Sequence, residues 1–314
     1  MRLAILCSGQ AGQCHAMLDR VLSAPDCAEL RDIASSVIGR DVAAWWRGLD
    51  EAAIYANANA QLAITLYQLA AWQRLAACLP QPPVVVAGYS LGEVIAWHVA
   101  GALDAAETLR LVHARARLMD ACLAASTPDR SCMALLRGRA TPAMRQARAA
   151  ALARHGVAVA IHRQGGDLVL AAPAARLDAL AADPDLAGAD LKRLAVGVPS
   201  HTAWLAGAVA PFGEALAASA PRMPRFPVVA GVDGALQRHG SDSLTSLPRQ
   251  LAEPLRWDGC LETLDAMRAD LAIELGPGND LARQLELAIP DITARAMSDF
   301  ATPDDIAGWL ARHA

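Results

Sequence analysis

The sequence has few aromatic residues and no long hydrophobic run. Phe, Trp and Tyr together make up 4% of its 314 residues, although 54% of the residues are hydrophobic and alanine is frequent among them. A chain of this composition should be rich in helix. No apolar stretch approaches the roughly 20 residues that span a bilayer, since Gln, Arg, Asp or His interrupts each candidate. We therefore expect a soluble protein without a membrane segment.

An excess of basic charge is also absent. The 28 Lys and Arg residues stand against 32 Asp and Glu residues, which gives a net charge of −4 and disfavours nucleic acid as a ligand. The seven cysteines include no C-x-x-C pair for zinc or redox chemistry, so we expect reduced thiols. Residues 1–7 are too short for a secretory signal. These features predict a cytoplasmic protein.

The first part of the chain predicts an α/β fold. A strand is predicted at residues 2–7 and a helical region at 15–80, which ends at the proline-rich stretch LPQPP. The β-branched run Val84–Ala87 is typical of a buried parallel strand. Gly88 then begins a sharp turn, and helical periodicity starts at Leu91.

The pattern changes between Cys132 and Leu194, where strand, helix, strand, strand, helix and strand follow one another. This order is that of the ferredoxin-like arrangement. We therefore predict a large domain with a parallel sheet, formed by residues 1–125 and 197–314, and an inserted ferredoxin-like small domain at 126–196. The remaining chain predicts helices at 203–220, 243–252 and 258–268, strands at 226–230 and 271–275, and a final helix from 303.

The motif G-x-S-x-G occupies the predicted turn, as Gly88-Tyr89-Ser90-Leu91-Gly92. Between a strand and a helix this motif forms a nucleophile elbow, in which the serine hydroxyl is lifted clear of the sheet. The N-terminal amides of the helix point at negative charge that develops there. We predict that Ser90 is a nucleophile; the alternative is a glycine-rich turn without a catalytic role.

A serine nucleophile needs a base, and the sequence has eight histidines. His201 lies in VGVPSHTAW, where a strand ends and Pro199 stiffens the approach, a setting that holds an imidazole at the tip of an element. Neither His239 nor His313 has a convincing setting for the late histidine of an α/β-hydrolase. Position alone favours His201 without excluding the other histidines.

Several segments together resemble the malonyl-CoA:acyl carrier protein transacylase family. They are GQAGQ at 9–13, GYSLGE at 88–93, RARLM at 115–119, VPSH at 198–201, QLAEPLRW at 250–257 and ELGPG at 274–278. The resemblance covers essentially the whole chain. It implies a large α/β-hydrolase-like domain with a ferredoxin-like insertion, which agrees with the two-domain prediction. It also implies transfer of a malonyl group from malonyl-CoA, through a serine ester, to the prosthetic thiol of an acyl carrier protein.

The resemblance assigns roles to individual residues. It makes Ser90 the acylated nucleophile and His201 its base, and it has Gln250 orient His201 through a main-chain carbonyl in place of a triad carboxylate. The main-chain amides of Gln10 and Leu91 would form the oxyanion hole, with each donor worth roughly 3–4 kcal/mol. Without the resemblance, the glutamines of GQAGQ would belong to a plain polar turn.

The resemblance also points to Arg115, which follows Ser90 by 25 residues. At this spacing the family places an arginine that pairs with the free carboxylate of malonyl. A guanidinium suits the task because it binds a carboxylate through two parallel hydrogen bonds and stays charged. Arg117 would point to a different face of the helix. Without the resemblance, either arginine would be a solvated helix charge.

A few positions depart from the family pattern. Ala11 replaces the last glycine of GQG, Tyr89 replaces the histidine of GHS, and IHRQGGDLVLAA at 161–172 replaces an Asn-rich segment. The tyrosine and the glycine-containing hairpin resemble the malonyltransferase (epsilon) subunit of biotin-independent malonate decarboxylase. These changes leave the chemistry intact. They leave the carrier protein open between malonate decarboxylase and fatty-acid or polyketide synthesis.

Two other classes of function remain open at this point. A serine hydrolase or thioesterase would use the same nucleophile elbow, although Arg115 and the lack of a credible Asp and late-His pair argue against it. A non-catalytic binding subunit of a larger complex would not need both Ser90 and His201. We expect malonyl-CoA and an acyl carrier protein as partners, and the predicted chemistry requires neither a metal nor a redox cofactor.

Overall fold

The computed structural model describes residues 1–10, 12–126, 131–138 and 140–313. Ala11, and residues 127–130 at the predicted start of the insertion, lie outside the described residues. The strands are β1 Leu3–Cys7, β2 Val85–Gly88, β3 Ser131–Arg137, β4 Ala158–His162, β5 Leu168–Pro173, β6 Asp190–Arg193, β7 Val228–Val229, β8 Leu236–Gln237, β9 Leu255–Arg256, β10 Leu271–Glu274 and β11 Thr293–Ala296. The helices are α1 Asp19–Ser23, α2 Ala28–Ile38, α3 Val42–Arg47, α4 Asn57–Cys78, α5 Leu91–Val99, α6 Ala105–Ser126, α7 Pro142–His155, α8 Ala174–Ala181, α9 Ala206–Ala218, α10 Gly240–Ala252, α11 Trp257–Ala266, α12 Asp280–Ala288 and α13 Pro303–Ala311.

The first sheet has six strands in the order β11-β10-β1-β2-β7-β8, and every pair is parallel except β7 with β8. Along β1, Leu3 and Ile5 belong to the core on one face, while Ala4 and Leu6 belong to the core on the other. Burial on both faces explains why the strand is apolar throughout. The predicted α/β class with a parallel sheet is confirmed.

The second sheet has five strands in the order β6-β3-β5-β4-β9. The pairs among β6, β3, β5 and β4 are antiparallel, which gives the ferredoxin-like order expected from the sequence pattern. A separate apolar cluster lies between these strands and helices α7 and α8. β9 joins β4 in parallel, although its residues lie far outside the predicted insertion. The boundaries of the two domains stay a prediction.

Several elements differ from the sequence prediction. The helical region at 15–80 is not one helix, because 3₁₀ segments separate α1 from α2 and α3 from α4, and a turn at Gly39 separates α2 from α3. The strand expected at 226–230 shrinks to β7, and the helix expected at 203–220 begins with the 3₁₀ helix Ala203–Leu205 before α9. β8, β9, β11 and α12 were not predicted. Across the described ranges, the helices lack the combined length and apolar character that crossing a membrane requires.

Candidate active site

The turn between β2 and α5 carries Ser90. Its backbone has φ 57° and ψ −115°, a combination that residues with a side chain rarely adopt. The flanking glycines are required by close packing. A Cβ on Gly88 would lie 2.2 Å from the nitrogen of Glu93, and a Cβ on Gly92 would lie 1.9 Å from the carbonyl oxygen of Cys7. Gly88 therefore lets the chain turn tightly into α5, and Gly92 lets α5 pack against β1, so that the serine lies at the helix N-terminus.

His201 reaches Ser90 from a loop that packs against the end of α10. Its Nε2 lies 2.7 Å from Oγ of Ser90, and its Nδ1 lies 2.5 Å from the main-chain carbonyl oxygen of Gln250. A carbonyl oxygen can only accept, so Nδ1 carries the proton and Nε2 accepts from the serine hydroxyl. The main-chain N–H of His201 also donates to the carbonyl of Leu251. The end of α10 thus fixes the imidazole in the orientation that a base needs.

The protonation state of His201 suits the same role. The side chain is buried, with 1% of its surface exposed. Burial, followed by the positive charge of Arg115, lowers the pKa of His201 to about 3, against the opposing effect of the hydrogen bond to Gln250. The imidazole is therefore neutral near pH 7 and can take a proton from Ser90.

The two predicted oxyanion donors lie on either side of the serine. Leu91 begins α5, and Gln10 follows β1 and lines the same pocket as Ser90 and His201. The side-chain Nε2 of Gln10 donates to Oδ1 of Asn57 at 3.3 Å. Within the described residues, the main-chain N–H groups of Gln10 and Leu91 make no hydrogen bond. Both amides are thus available to an oxyanion.

The strand end before Gln10 is held by buried polar side chains. The main-chain N–H and carbonyl of Ser8 bond both ends of the Gln68 amide, at 2.8 and 2.9 Å. Oγ of Ser8 donates to Oε1 of Glu274 at 2.6 Å, and Oε2 of Glu274 accepts from the N–H of Ala282 at 2.9 Å. Burial raises the pKa of Glu274 to about 7, against these hydrogen bonds. The loop that carries Gln10 therefore begins from a fixed point.

Arg115 lies on α6 and is buried, with 1% of its surface exposed. One terminal nitrogen donates to Oε1 of Gln61 at 2.7 Å and the other donates to Oε1 of Gln250 at 3.3 Å. Its Nε has no hydrogen-bond partner in the described part of the chain. Burial lowers the pKa of Arg115 to about 10, although the charge of Glu93 opposes the shift. The sequence alone allowed a solvated helix charge here, and that alternative is wrong; Arg117 is the exposed one.

A buried amide joins Arg115 to a carboxylate. The side chain of Gln250 accepts from Arg115 through Oε1 and donates through Nε2 to Oε2 of Glu93 at 2.6 Å. Oε2 of Glu93 also accepts from the N–H of Gly231 at 2.9 Å. Burial raises the pKa of Glu93 to about 7, while these two hydrogen bonds lower it. Sequence reasoning gave Glu93 no role, although a charged residue inside the apolar helix LGEVIAW is a signal that could have found it.

The pocket in front of Ser90 is small. Its volume is about 50 Å³ and it lies between the two sheets. The second sheet and its returning segment supply an apolar wall, made by Met133, Ile161, Val169, Leu194 and Val196. Tyr89 lines the opposite side and packs edge-on against Trp257, with ring centroids 5.2 Å apart. The small volume favours a short acyl group over a long one.

Hydrogen bonds join most of the predicted site residues into one group. Asn57 connects its two halves, since its Oδ1 accepts from both Gln10 and Gln61, and Gln61 accepts from Arg115. The members predicted from sequence are Gln10, Ser90, Arg115, His201 and Gln250, and Leu91, which was also predicted, directly follows Ser90 at the start of α5. Sequence reasoning missed Glu93, Gln61 and Asn57 in this group, and Glu274 beside Ser8, because most of their hydrogen-bond partners are distant in the sequence.

Comparisons with known proteins identify the family of this chain. The model of the family described as "Acyl transferase domain" matches residues 6–286. The chain is 30% identical to a malonyl CoA-acyl carrier protein transacylase of Haemophilus influenzae, over 98% of this chain and 99% of that protein. It is similar to the crystal structure of MCAT from Mycobacterium tuberculosis, with a TM-score of 0.89, 28% identity, and coverage of 98% and 100% of the two chains. A malonyl-transacylase in complex with a type II PKS acyl-carrier protein is also similar, with a TM-score of 0.87, 25% identity, and coverage of 99% and 100%.

Proposed function

This chain belongs to the acyl transferase domain family, and we propose that it transfers a malonyl group from malonyl-CoA, through an ester on Ser90, to the thiol of an acyl carrier protein. Similarity to named malonyl CoA-acyl carrier protein transacylases supports this substrate and this class of acceptor. The observation that carries the proposal is the contact of the Ser90 hydroxyl with neutral His201, in a network that also holds the buried guanidinium of Arg115.

In the first half-reaction, Oγ of Ser90 attacks the carbonyl carbon of the thioester and its proton passes to Nε2 of His201. The negative charge that develops on the carbonyl oxygen accepts hydrogen bonds from the main-chain amides of Gln10 and Leu91. When the intermediate collapses, the carbon–sulfur bond breaks and His201 returns the proton to the sulfur of CoA. The malonyl ester of Ser90 remains.

The second half-reaction reverses the proton path. The prosthetic thiol of the carrier gives its proton to Nε2 of His201, and its sulfur attacks the ester carbonyl. The same two amides of Gln10 and Leu91 receive the oxyanion. The bond to Oγ of Ser90 then breaks, and His201 returns the proton to the serine. The imidazole of His201 therefore accepts and returns one proton in each half-reaction. The main-chain carbonyl of Gln250 holds the ring in place in both.

Arg115 gives the reaction its preference for a carboxylated acyl group. Its present acceptors, Gln61 and Gln250, are neutral amides, and its Nε has no acceptor in the described residues. A malonyl carboxylate would supply the full negative charge that these contacts lack, through two parallel hydrogen bonds. A charge buried without a countercharge in direct contact is costly, so pairing with the substrate should be correspondingly strong.

Two finer assignments belong to the same proposal. The seven cysteines without closely spaced pairs support a reducing compartment, so we place the reaction in the cytoplasm. The relatives described above are transacylases of acyl carrier proteins, and malonate decarboxylase stays a prediction that rests on Tyr89 and the hairpin at 161–172. A serine hydrolase or thioesterase is not favoured, since a main-chain carbonyl orients His201 where such enzymes use a carboxylate.

Intact-protein mass spectrometry tests the proposed function. Incubation with malonyl-CoA should add one malonyl group, peptide mapping should place it on Ser90, and a carrier protein with its prosthetic thiol should remove it. Ser90→Ala is the control and should carry no adduct, because a methyl group occupies the same space without a nucleophile. An adduct that persists in Ser90→Ala, or hydrolysis to free malonate without transfer, would contradict the proposal.

A further inference from the structure

The buried side chain of Gln250 has two neighbours of opposite charge. Its Nε2 donates to Glu93 and its Oε1 accepts from Arg115, while its main-chain carbonyl accepts from His201. Both Gln250 and Glu93 are fully buried, so solvent does not replace either partner. The N–H₂ group of the amide therefore donates to the carboxylate of Glu93, which can only accept. The amide oxygen accepts from the guanidinium of Arg115, which can only donate.

Glu93 determines which way this amide faces. If the amide of Gln250 turned over, its oxygen would face the carboxylate of Glu93 and its N–H₂ group would face the donors of Arg115, so both contacts would become repulsive. The second acceptor bond of Glu93, from the N–H of Gly231, anchors the carboxylate to the loop after β7. The carboxylate is thus held independently of the amide that it orients.

The arrangement also keeps Glu93 away from the guanidinium. In a direct ion pair the carboxylate would occupy the hydrogen-bonding edge of Arg115 that the malonyl carboxylate needs. Here one amide separates the two groups, and the contacts of Arg115 are with neutral oxygens. The negative charge still acts through space on Arg115. Glu93 therefore stabilises the charge of Arg115 without forming a direct ion pair with the guanidinium, which can still bind a substrate carboxylate.

We propose that Glu93 is a positioning residue that sets the preference for carboxylated acyl groups by orienting the Gln250 side chain, which in turn holds Arg115 in place. The role rests on the proposed function, because it requires Arg115 to bind the malonyl carboxylate. It differs from a general structural role in one respect. Loss of Glu93 should weaken malonyl transfer more than acetyl transfer, since acetyl has no carboxylate for Arg115 to meet.

Two substitutions at Glu93 separate its acceptor from its volume. Glu93→Met fills the same space but offers Gln250 no acceptor, and we expect the ratio of malonyl to acetyl kcat/KM to fall about tenfold, as for loss of a charge-assisted hydrogen bond. Glu93→Gln keeps a side-chain oxygen for Nε2 of Gln250 and should restore the ratio to within about threefold of the unaltered protein. If Glu93→Met does not fold, Glu93→Asp withdraws the carboxylate by one methylene and should lower the ratio in the same direction.

A double variant shows whether the effect passes through Gln250. Gln250→Leu removes the side-chain amide but keeps the main-chain carbonyl that holds His201, and it should lower the ratio by itself. Glu93→Met combined with Gln250→Leu should lower the ratio no further than Gln250→Leu does, because Glu93 then has nothing to orient. If the fold-changes in the ratio from Glu93→Met and Gln250→Leu multiply in the double variant, Glu93 acts independently of Gln250 and the proposal is overturned.

Glu274→Gln serves as the matched control, since Glu274, at the end of β10, is also buried and accepts a hydrogen bond from Ser8, two residues before the predicted oxyanion donor Gln10. Its substitution should slow both acyl groups alike and leave the ratio within about twofold. Failure of the unaltered protein to transfer malonyl at all would overturn the proposed function together with the role of Glu93. Normal, selective transfer with a ratio that no Glu93 variant changes would overturn the role of Glu93 alone.

Discussion

Ser90 and His201 both have a positive φ, of 57° and 62°, although neither is glycine. Such conformations cost of order 1–3 kcal/mol each and persist only where the surroundings impose them. Here the surroundings are the close contact of α5 with β1 around Ser90 and the bond from the His201 N–H to the Leu251 carbonyl. These contacts therefore hold the two residues in their strained backbone conformations. They place Oγ of Ser90 2.7 Å from Nε2 of His201, the geometry that proton transfer between the two atoms requires.

The low pKa of His201 gives a direct test at this scale. Since the folded pKa is about 3, the ring should stay neutral from about pH 5 to pH 8, where an ordinary histidine changes its charge. NMR of the imidazole nitrogens should show no titration of His201 over that range. Arg115→Met removes a positive charge that lowers this pKa and should shift the titration upward. Protonation of His201 near pH 6.5 in the unaltered protein would contradict the buried, neutral base.

Replacement of Arg115 tests acyl selectivity. Arg115→Ala should lower kcat/KM for malonyl-CoA about ten- to a hundredfold, from loss of about 1.5–3 kcal/mol, and should change acetyl-CoA transfer little. Lysine should recover only part of the ratio, because it keeps the charge without the planar fork. Arg117→Ala, on the exposed face of the same helix, is the control. An unchanged ratio in Arg115→Ala would place carboxylate recognition elsewhere.

The sequence singled out the residues that meet at the candidate site more readily than the buried residues that hold them. Ser90 has a local motif whose meaning depends only on the adjoining strand and helix. His201 required the family resemblance as well, since its position alone did not exclude other histidines. The burial of Arg115 was not predictable, because on α6 it stands two residues from exposed Arg117 in a similar local sequence. Glu93 needed Gln250, which is 157 residues away, to acquire a role.

At the scale of elements, the contact of α5 with β1 depends on a residue without a side chain. Gly92→Ala would place a Cβ 1.9 Å from the carbonyl oxygen of Cys7, so the helix would have to move off the strand. We expect a loss of more than about 3 kcal/mol of unfolding free energy and loss of activity. Gly213→Ala in α9 is the matched control, since its Cβ meets only Pro248 at 3.6 Å.

The control substitution Gly213→Ala should increase the stability of the protein, whereas Gly92→Ala should decrease it. Alanine in a helix is favoured over glycine by about 0.5–1 kcal/mol, so Gly213→Ala should raise the midpoint of urea unfolding and leave transfer activity unchanged. Equal midpoints for Gly92→Ala and Gly213→Ala would mean that the turn tolerates a Cβ at Gly92. The close contact between α5 and β1 would then not hold Ser90 in place.

The elements that the sequence predicted correctly are those in which the hydrophobic residues repeat with the spacing of a strand or a helix. The strand, turn and helix around Ser90 and the ferredoxin-like order between Cys132 and Leu194 follow from alternation, helical spacing and turn residues. β8 and β9 have two residues each, too few for any periodicity, and exist because a neighbouring strand offers hydrogen bonds. Tertiary pairing defines such strands, so the sequence near them cannot predict them.

For the whole molecule, two buried carboxyl groups give stability a pH dependence. Glu93 and Glu274 have pKa values of about 7 in the fold against an ordinary value of 4.5. Between these values the folded protein keeps protons that the unfolded chain has released, so each group lowers the unfolding free energy as pH rises, by up to about 1.4 kcal/mol per pH unit. His201 acts in the opposite direction, between about pH 3 and pH 6.5.

Glu274→Gln isolates one of these groups. Urea unfolding measured from about pH 5 to pH 7 should show a free energy that falls less steeply with pH in the variant than in the unaltered protein. The slope is the relevant quantity, since the substitution also changes hydrogen bonding to Ser8 and so shifts stability at every pH. Parallel curves for the two proteins would show that Glu274 has the same pKa in the folded and unfolded states.

The pairing of β9 with β4 limits how the second sheet can move relative to the first. The chain between β3 and β6 is joined to the rest of the molecule by two covalent crossings, which alone would define a hinge axis. The hydrogen-bonded register of Ile161 with Leu255 and of His162 with Arg256 adds a main-chain attachment to the apolar cluster that the two sheets share, and so opposes such a rotation. Because the apolar wall of the pocket belongs largely to the second sheet, we expect the pocket in front of Ser90 to change little in width. A pocket of nearly fixed width should select acyl groups by size, and we expect branched acyl chains to be excluded sterically from Ser90.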